Sequence, residues 1–403
     1  MNIGIDIRPL QGHNKFRGIG RNISSLLQAI SRLDKKNRYI LYIFDNLENP
    51  IKNIKLDKDF NYSIKKVKFN YLSHKKYIGI LFDEFYPVDA SSDKLDVFLQ
   101  TDMQYGLPRS VKNVAIFYDL IPFYFWNREK LKKYKGLRKI KITTADKIIR
   151  KRYLRVLSRY KKADSIIAIS ESSKKDLLNH FSSIKKSTVK SVPLGIDRHN
   201  LSKTAINKSI FYKKYGIKDG YLLYVGGVDL RKNIVGLANM YFSFRKNGSE
   251  GIKLVMAGKE FENREELNDL GWQKVVEKSK YKDDIVFTGY VSDDELMELY
   301  RNASAFVFPS KYEGFGLPVL EAMDLGAPVI AFNNSSIPEV AGDAAVLCKN
   351  EREFVSGIEK VVTDKHFKEE IIKRGYKQVN KFTWEKTAKE TLDVLERTVK
   401  TQD

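Results

Sequence analysis

The chain has 403 residues, a formal net charge of +22 and a single cysteine, Cys348. That length suits two α/β domains, and one cysteine excludes an intrachain disulfide framework or a cysteine-rich metal site and fits a reducing compartment. The 72 Lys and Arg against 50 Asp and Glu favour an anionic partner, whether nucleic acid, an acidic membrane surface or a phosphorylated substrate.

Met1 to Asp6 enters directly into a strand pattern and no apolar run approaches spanning length, so neither a signal peptide nor a transmembrane helix is expected. Strands are predicted at Asn2–Ile7, Tyr39–Phe44, Val67–Tyr71, Val97–Thr101, Val114–Tyr118 and Ser165–Ile169. A helical pattern at Ile19–Leu33 follows the first of them, opened by Arg17-Gly18-Ile19-Gly20-Arg21. A glycine loop at a helix start turns backbone amides towards an anion, although such loops also serve as ordinary turns. Alternating strands and helices read as a parallel sheet covered by helices.

Residues 130–162 carry fifteen Lys or Arg and one acid, Asp146, with apolar residues three and four apart. That spacing is helical. The segment reads either as a solvated face over a core face or as a dock for an anionic bilayer, to which each surface cation contributes ~1 kcal/mol.

A linker is placed near Pro193-Leu194-Gly195-Ile196-Asp197, after which the alternation restarts. Strands are predicted at Tyr221–Gly227, Lys253–Ala257, Ile285–Thr288, Ala305–Phe308, Pro328–Phe332 and Ala344–Leu347. The five histidines, at 13, 74, 180, 199 and 366, have no metal-ligand spacing. Asp283-Asp284 and Asp293-Asp294 read as turn and helix-start residues.

The most informative run is Pro309-Ser310-Lys311-Tyr312-Glu313-Gly314-Phe315-Gly316-Leu317-Pro318-Val319-Leu320-Glu321-Ala322-Met323. Two carboxylates flank a glycine loop that leads into a helix, with Pro318 in the first turn, where its missing N–H costs nothing. Helix-start amides suit a phosphate, and ionised carboxylates, being acceptors only, suit sugar or ribose hydroxyls. The run, together with Gly-Ala-Pro-Val-Ile at 326–330, resembles the paired-glutamate motif of retaining glycosyltransferases of family 4, the glycosyl transferases group 1.

The resemblance implies a GT-B fold of two Rossmann-like doubly wound α/β domains facing a central cleft. Residues 1–197 would form the acceptor-binding domain and 198–381 the nucleotide-sugar domain. Residues 382–403, beginning Phe382-Thr383-Trp384, would form a helix returning to the first domain. It implies transfer of a sugar from a nucleotide diphosphate donor with retention and without a metal. Glu313, Asp119, Arg231 and Lys232 would be the catalytic groups. Gly18 and Gly20 would face the donor phosphates, Glu321 the ribose, and the amides of Gly314, Phe315, Gly316 and Leu317 the diphosphate. Gly258 and Lys259, with Thr288, Gly289, Tyr290 and Val291, would lie near the base, and Ser335 near the sugar or phosphates. Tyr118 stands where many members carry histidine, which removes any role that needs one at this position. The resemblance to bacterial surface-polysaccharide mannosyl- and rhamnosyltransferases points to GDP-mannose, with dTDP-rhamnose or a UDP-sugar as rivals. It also points to a glycan or lipid-diphosphate-linked glycan acceptor. A cytoplasmic enzyme, peripheral on the inner face of the membrane, is expected. The rival readings are a nucleic-acid-binding protein, for which no motif is present, a nucleotide-sugar epimerase on the same fold, and a catalytically silent relative.

Overall fold

Strands buried on both faces carry near-continuous apolar runs, the mark of parallel sheets wrapped by helices, and this chain builds two of them. The computed structural model describes residues 1–12, 18–68, 88–125, 150–198 apart from 152, 207–249, 251–262, 267 and 270–401. The chain divides into one unit of Met1–Asp197 with Phe382–Asp403 and a second of Arg198–Lys381.

The first unit contains β1 (Asn2–Asp6), α1 (Gly18–Leu33), β2 (Arg38–Phe44), β3 (Tyr62–Val67), β4 (Val97–Gln100), β5 (Lys112–Phe117), β6 (Ser165–Ala168), α2 (Glu171–His180) and β7 (Val189–Ser191). The order across its parallel sheet is 3-2-1-4-5-6-7. The strand expected at Val67–Tyr71 is corrected: the edge strand is Tyr62–Val67, and residues 69–71 lie outside the described residues. β3 alternates exposed and half-buried positions, because an edge strand covers the core on one side only. Its sequence, Tyr-Ser-Ile-Lys-Lys-Val, therefore lacks the apolar run that marks the central strands. β7 escaped prediction for the same reason, being a three-residue edge strand with an exposed lysine.

The second unit contains β8 (Tyr221–Val225), α3 (Ile234–Lys246), β9 (Leu254–Ala257), β10 (Ile285–Gly289), α4 (Asp293–Arg301), β11 (Ala303–Phe308), α5 (Leu317–Asp324), β12 (Val329–Phe332), β13 (Ala345–Cys348), α6 (Glu351–Thr363) and α7 (Lys365–Val379). Its parallel sheet runs 10-9-8-11-12-13. α3 and α6 share a core with the central strands through Leu237, Tyr241, Phe244, Phe354 and Ile358. The acids at 293–295 fill the first turn of α4, capped by a reciprocal Ser292–Glu295 box.

The last helix, α8 (Trp384–Lys400), belongs to the first unit and packs against α1. Thr383 caps it. Thr387 Oγ1 donates to the Pro193 carbonyl (2.8 Å), and Ile196 N donates to Phe382 O (3.2 Å). Thr398 Oγ1 donates to Ser165 Oγ, 2.8 Å away at the start of β6. Both helices are amphipathic: α1 buries Ile23, Leu26, Leu27 and Ile30, and α8 buries Ala388, Thr391, Val394 and Leu395.

In each sheet the order reverses once, between β1 and β4 and again between β8 and β11. Loops leaving adjacent strands on opposite sides of such a point open a crevice beyond the strand carboxyl ends, where doubly wound sheets hold their ligands.

Candidate active site at the second switch point

At the second reversal, β8 runs into Gly226-Gly227-Val228-Asp229-Leu230-Arg231-Lys232 and β11 into Pro309-Ser310-Lys311-Tyr312-Glu313. The two segments are stitched together by Lys311 N donating to Arg231 O at 2.7 Å. Glu313 then sits between two cations. Its Oε2 lies 2.7 Å from Arg231 Nη1 and its Oε1 2.8 Å from Lys232 Nζ. The three side chains are 10, 16 and 9 % exposed, respectively.

Each partner is locally fixed. Asp229 caps the turn at Leu230–Lys232 by accepting from Arg231 N (3.1 Å) and pairs with Arg231 Nε at 3.2 Å. Lys232 Nζ lies 5.0 Å from the centroid of the Phe308 ring, a contact favourable to a desolvated cation. Tyr224 Oη donates to Gly227 O (2.7 Å) and anchors the loop from below. Burial by itself pushes the Glu313 carboxyl up. The Lys232 ammonium and the Arg231 guanidinium outweigh burial and hold it below the usual carboxylate range. Glu313 is therefore ionised at neutral pH, and the cluster sets two cations against two carboxylates, the buried Glu313 and the more exposed Asp229.

The loop after β12 completes the setting. Ser335 Oγ accepts from Glu313 N (2.9 Å), and Ser336 Oγ donates to Glu313 O (3.0 Å) and Phe315 O (2.7 Å). Asn334 Nδ2 donates to Ser310 O at 3.0 Å. Ser335, expected beside a ligand, thus holds the glutamate loop in place. Asp229, Asn334 and Ser336 were not singled out individually by sequence reasoning. Their only signal is a short polar residue beside a predicted strand end, which is common to many turns.

Gly316 is the residue before α5 and has φ +107°; a Cβ there would meet Ile337 Cδ1 at 2.7 Å. Leu317 is the first helical residue, Pro318 has no N–H, and Val319 N donates to Gly316 O at 3.0 Å. The helix start therefore offers fewer amides than the glycine loop suggests, and the positive charge comes mainly from Arg231 and Lys232. Gly314 and Phe315 are buried in the loop. Glu321 stands within α5 and accepts from Tyr300 Oη at 3.4 Å.

Neighbouring β9 and β10 end in the remaining candidates. Gly258 has its N–H on Gly289 O (3.1 Å), and a Cβ there would lie 2.4 Å from Gly226 O. The glycine thus lets two strand ends close against each other. Lys259 is exposed at the head of a short turn. Thr288 Oγ1 donates to Gly289 O, Tyr290 N donates to Glu262 Oε1 (3.0 Å), the Tyr290 ring is exposed, and Val291 is half-buried.

The first unit carries the other candidates. Gly18 and Gly20 are corrected from a loop to helical residues, since both lie within α1 as described. Arg17 lies outside the described residues. Tyr118 and Asp119 follow β5. Asp119 Oδ1 accepts from Ile121 N (2.8 Å) and its carbonyl accepts from Tyr153 Oη (3.3 Å). Burial, reinforced by the nearby Asp102 charge, pushes the Tyr118 phenol up, so it stays a neutral hydroxyl. Sequence reasoning missed the network beside them at the first switch point. Arg8 and Asp6, both 0 % exposed, pair at 2.7 Å; Gln100 Nε2 donates to Asp6 Oδ2 (2.7 Å), and the guanidinium lies 4.7 Å from the Tyr105 ring centroid. The basic stretch 130–162 lies largely outside the described residues. Among the described residues no helix is long and apolar enough to cross a membrane.

The model of glycosyl transferases group 1 matches residues 207–378, which span the whole switch-point cluster. The match lies within the second unit and covers nearly all of it. The chain is 28 % identical over 418 aligned residues to the serotype-specific mannosyltransferase WbdA of Escherichia coli, covering 96 % of this chain and 47 % of the relative. It is 38 % identical to the O-antigen chain mannosyltransferase B of the same organism over 43 % of this chain and 45 % of the relative. The chain thus spans about half the length of these curated relatives. Sucrose-phosphate synthase from Thermosynechococcus elongatus superposes with a TM-score of 0.67 at 16 % identity, covering 98 % of both chains. That likeness shows the fold, which is GT-B: two Rossmann-like doubly wound units.

Proposed function

We propose that this chain is a retaining, metal-independent glycosyltransferase that moves mannose from GDP-mannose to a glycan or lipid-linked glycan acceptor in surface-polysaccharide synthesis. The observation that carries this reading is the pair of cations, Arg231 and Lys232, held on the buried Glu313 carboxylate at the second switch point, with Asp229 on the exposed side of Arg231. A departing nucleoside diphosphate gains negative charge as the glycosidic bond breaks. Prearranged cations stabilise that charge most where water is excluded. Arg231 supplies a planar fork and Lys232 a point charge, together taking the part that a divalent ion plays elsewhere.

In this reading the donor diphosphate takes up the cations and the Glu313 carboxylate turns to the donor-sugar hydroxyls. Glu321 holds the ribose. The base lies over the loops after β9 and β10, where the Tyr290 ring is exposed. Tyr118 and Asp119 serve the acceptor. The acceptor oxygen attacks the anomeric carbon on the face the diphosphate is leaving, and its proton passes to a phosphate oxygen, so no protein nucleophile is needed. The family match and the mannosyltransferase relatives support the transferase reading and the choice of sugar. Both a dTDP-rhamnose and a UDP-sugar donor remain as alternatives within it. In this reading the reaction runs at the cytoplasmic face of a membrane.

A thermal-shift panel of GDP, UDP, ADP and dTDP with their common sugars, run in EDTA, tests it. GDP and GDP-mannose are expected to give the largest shifts, and a ligand at a hundred times its Kd stabilises by ~2.7 kcal/mol. A different winner reassigns the donor. Silence from every nucleotide removes the donor site, and shifts that require a divalent cation remove metal independence.

A further inference from the structure

Three neighbouring strands of the second sheet, β8, β9 and β10, each give way to or end on a glycine, at Gly226, Gly258 and Gly289. Their carboxyl ends therefore leave a strip of backbone without side chains at these positions. The Arg231–Lys232 pair follows β8, at one side of the strip. Neighbouring strands lie about 4.8 Å apart, so β10 is roughly 10 Å from β8.

Glu262 and Tyr290 stand at the β10 side. Glu262 closes the short turn after β9. Its side chain lies across Gly289, which has φ +66° and where a Cβ would meet Glu262 Cγ at 2.9 Å. Glu262 Oε1 accepts from Tyr290 N at 3.0 Å. The carboxylate is thus held in one place although the residue is exposed. Among the described residues its Oε2 has no hydrogen-bond or ion-pair partner. The Tyr290 ring beside it is 67 % exposed.

An ionised carboxylate only accepts, and it is best matched by two donors side by side. Among the common bases guanine alone offers such a pair, N1–H and the N2 amino group. Adenine and cytosine set an amino group beside an acceptor nitrogen. Uracil and thymine set one N–H between two carbonyl oxygens, which an anion repels. An aromatic face stacks with any base, so the Tyr290 ring adds affinity and leaves the choice of base to the carboxylate.

We infer that Glu262 selects the nucleobase, accepting from N1–H and the N2 amino group of a guanine nucleotide. The inference rests on the donor-site reading above and narrows it from a nucleoside diphosphate to a guanosine diphosphate.

Calorimetric titration of the full chain with GDP, IDP, UDP and dTDP tests it. IDP differs from GDP only in lacking the N2 amino group. The wild type is expected to bind GDP about tenfold tighter than IDP, the worth of one charge-assisted hydrogen bond, and to bind UDP and dTDP more weakly still. Glu262→Gln keeps an oxygen for Tyr290 N but turns an N–H donor to the base. It is expected to bring GDP and IDP to similar affinity, with the melting temperature of the free protein unchanged. Glu260→Gln removes a second exposed acid, one that lies over Gly227, and is expected to leave the GDP-to-IDP ratio as it is. Equal binding of GDP and IDP by the wild type overturns the inference and leaves the donor site standing. So does a preference for UDP or dTDP, an unchanged ratio in Glu262→Gln, or an equal change in Glu260→Gln. Silence from every nucleotide removes the donor-site reading and the base assignment with it.

Discussion

The two switch points are built on the same plan and differ in how far their charges are exposed. At the first, Asp6 and Arg8 form one pair with no exposure, closed further by Gln100, by Thr101 donating to Asp6 O and by the Phe44 and Tyr105 rings. At the second, Arg231 and Lys232 share Glu313 and remain partly open. A neutral and fully satisfied pair holds a strand end and the loop after it. A partly exposed cluster can still exchange an internal partner for a ligand. Position beyond strand carboxyl ends is therefore not enough to mark a ligand site, and what separates the two regions is that the charges of the second are partly exposed.

Several substitutions would break that contrast. Glu313→Gln keeps the shape and removes the carboxylate. Transfer is expected to fall by about three orders of magnitude, ~4 kcal/mol of transition-state stabilisation, with an unchanged circular-dichroism spectrum. Near-normal turnover would show that Glu313 only ties the two cations together. Arg8→Met should instead cost ~3–5 kcal/mol of stability, because it strands the buried Asp6 carboxylate. The double change Asp6→Leu/Arg8→Met should recover most of that loss in urea unfolding. A single variant as stable as the wild type would refute the structural role given to the first pair.

Smaller effects sharpen the picture. Gly316→Ala forces a side chain into the left-handed region against Ile337. It should cost ~1–3 kcal/mol and weaken nucleotide binding along with stability, since the glutamate loop moves with it. The smallest effect concerns acid stability. The folded carboxyl of Glu313 is held below its unfolded value. Its contribution is therefore complete above the unfolded pKa of about 4.3 and is lost as pH falls through the lower, folded value. Glu313→Gln should flatten that part of the pH–stability curve and leave the neutral range without further slope.

Much of the second unit was legible because its signals are local. The strands from Tyr221 to Leu347 are apolar runs bounded by glycine, proline and polar turns, and the structure places all six within a few residues. The Glu313–Glu321 run carries its family in its own residues. The edge strands β3 and β7 were hidden because one-sided burial leaves mixed sequences. The helical state of Gly18 and Gly20 was hidden because two glycines in three residues read as a loop.

The sequence by itself determined two parallel α/β sheets, a surplus of positive charge over the chain and the residue types gathered at the second switch point. Only the tertiary structure decided which charges meet. Glu313 lies 81 residues from Lys232, and Gln100 lies 94 from Asp6. Parallel strand order, not chain proximity, brings each together. It also decided that Asp119 engages the Ile121 amide, that Ser335 braces the glutamate loop, and that Asn113 keeps one oxygen without a partner. Such facts follow from strand register and loop closure, and no spacing along the chain encodes them.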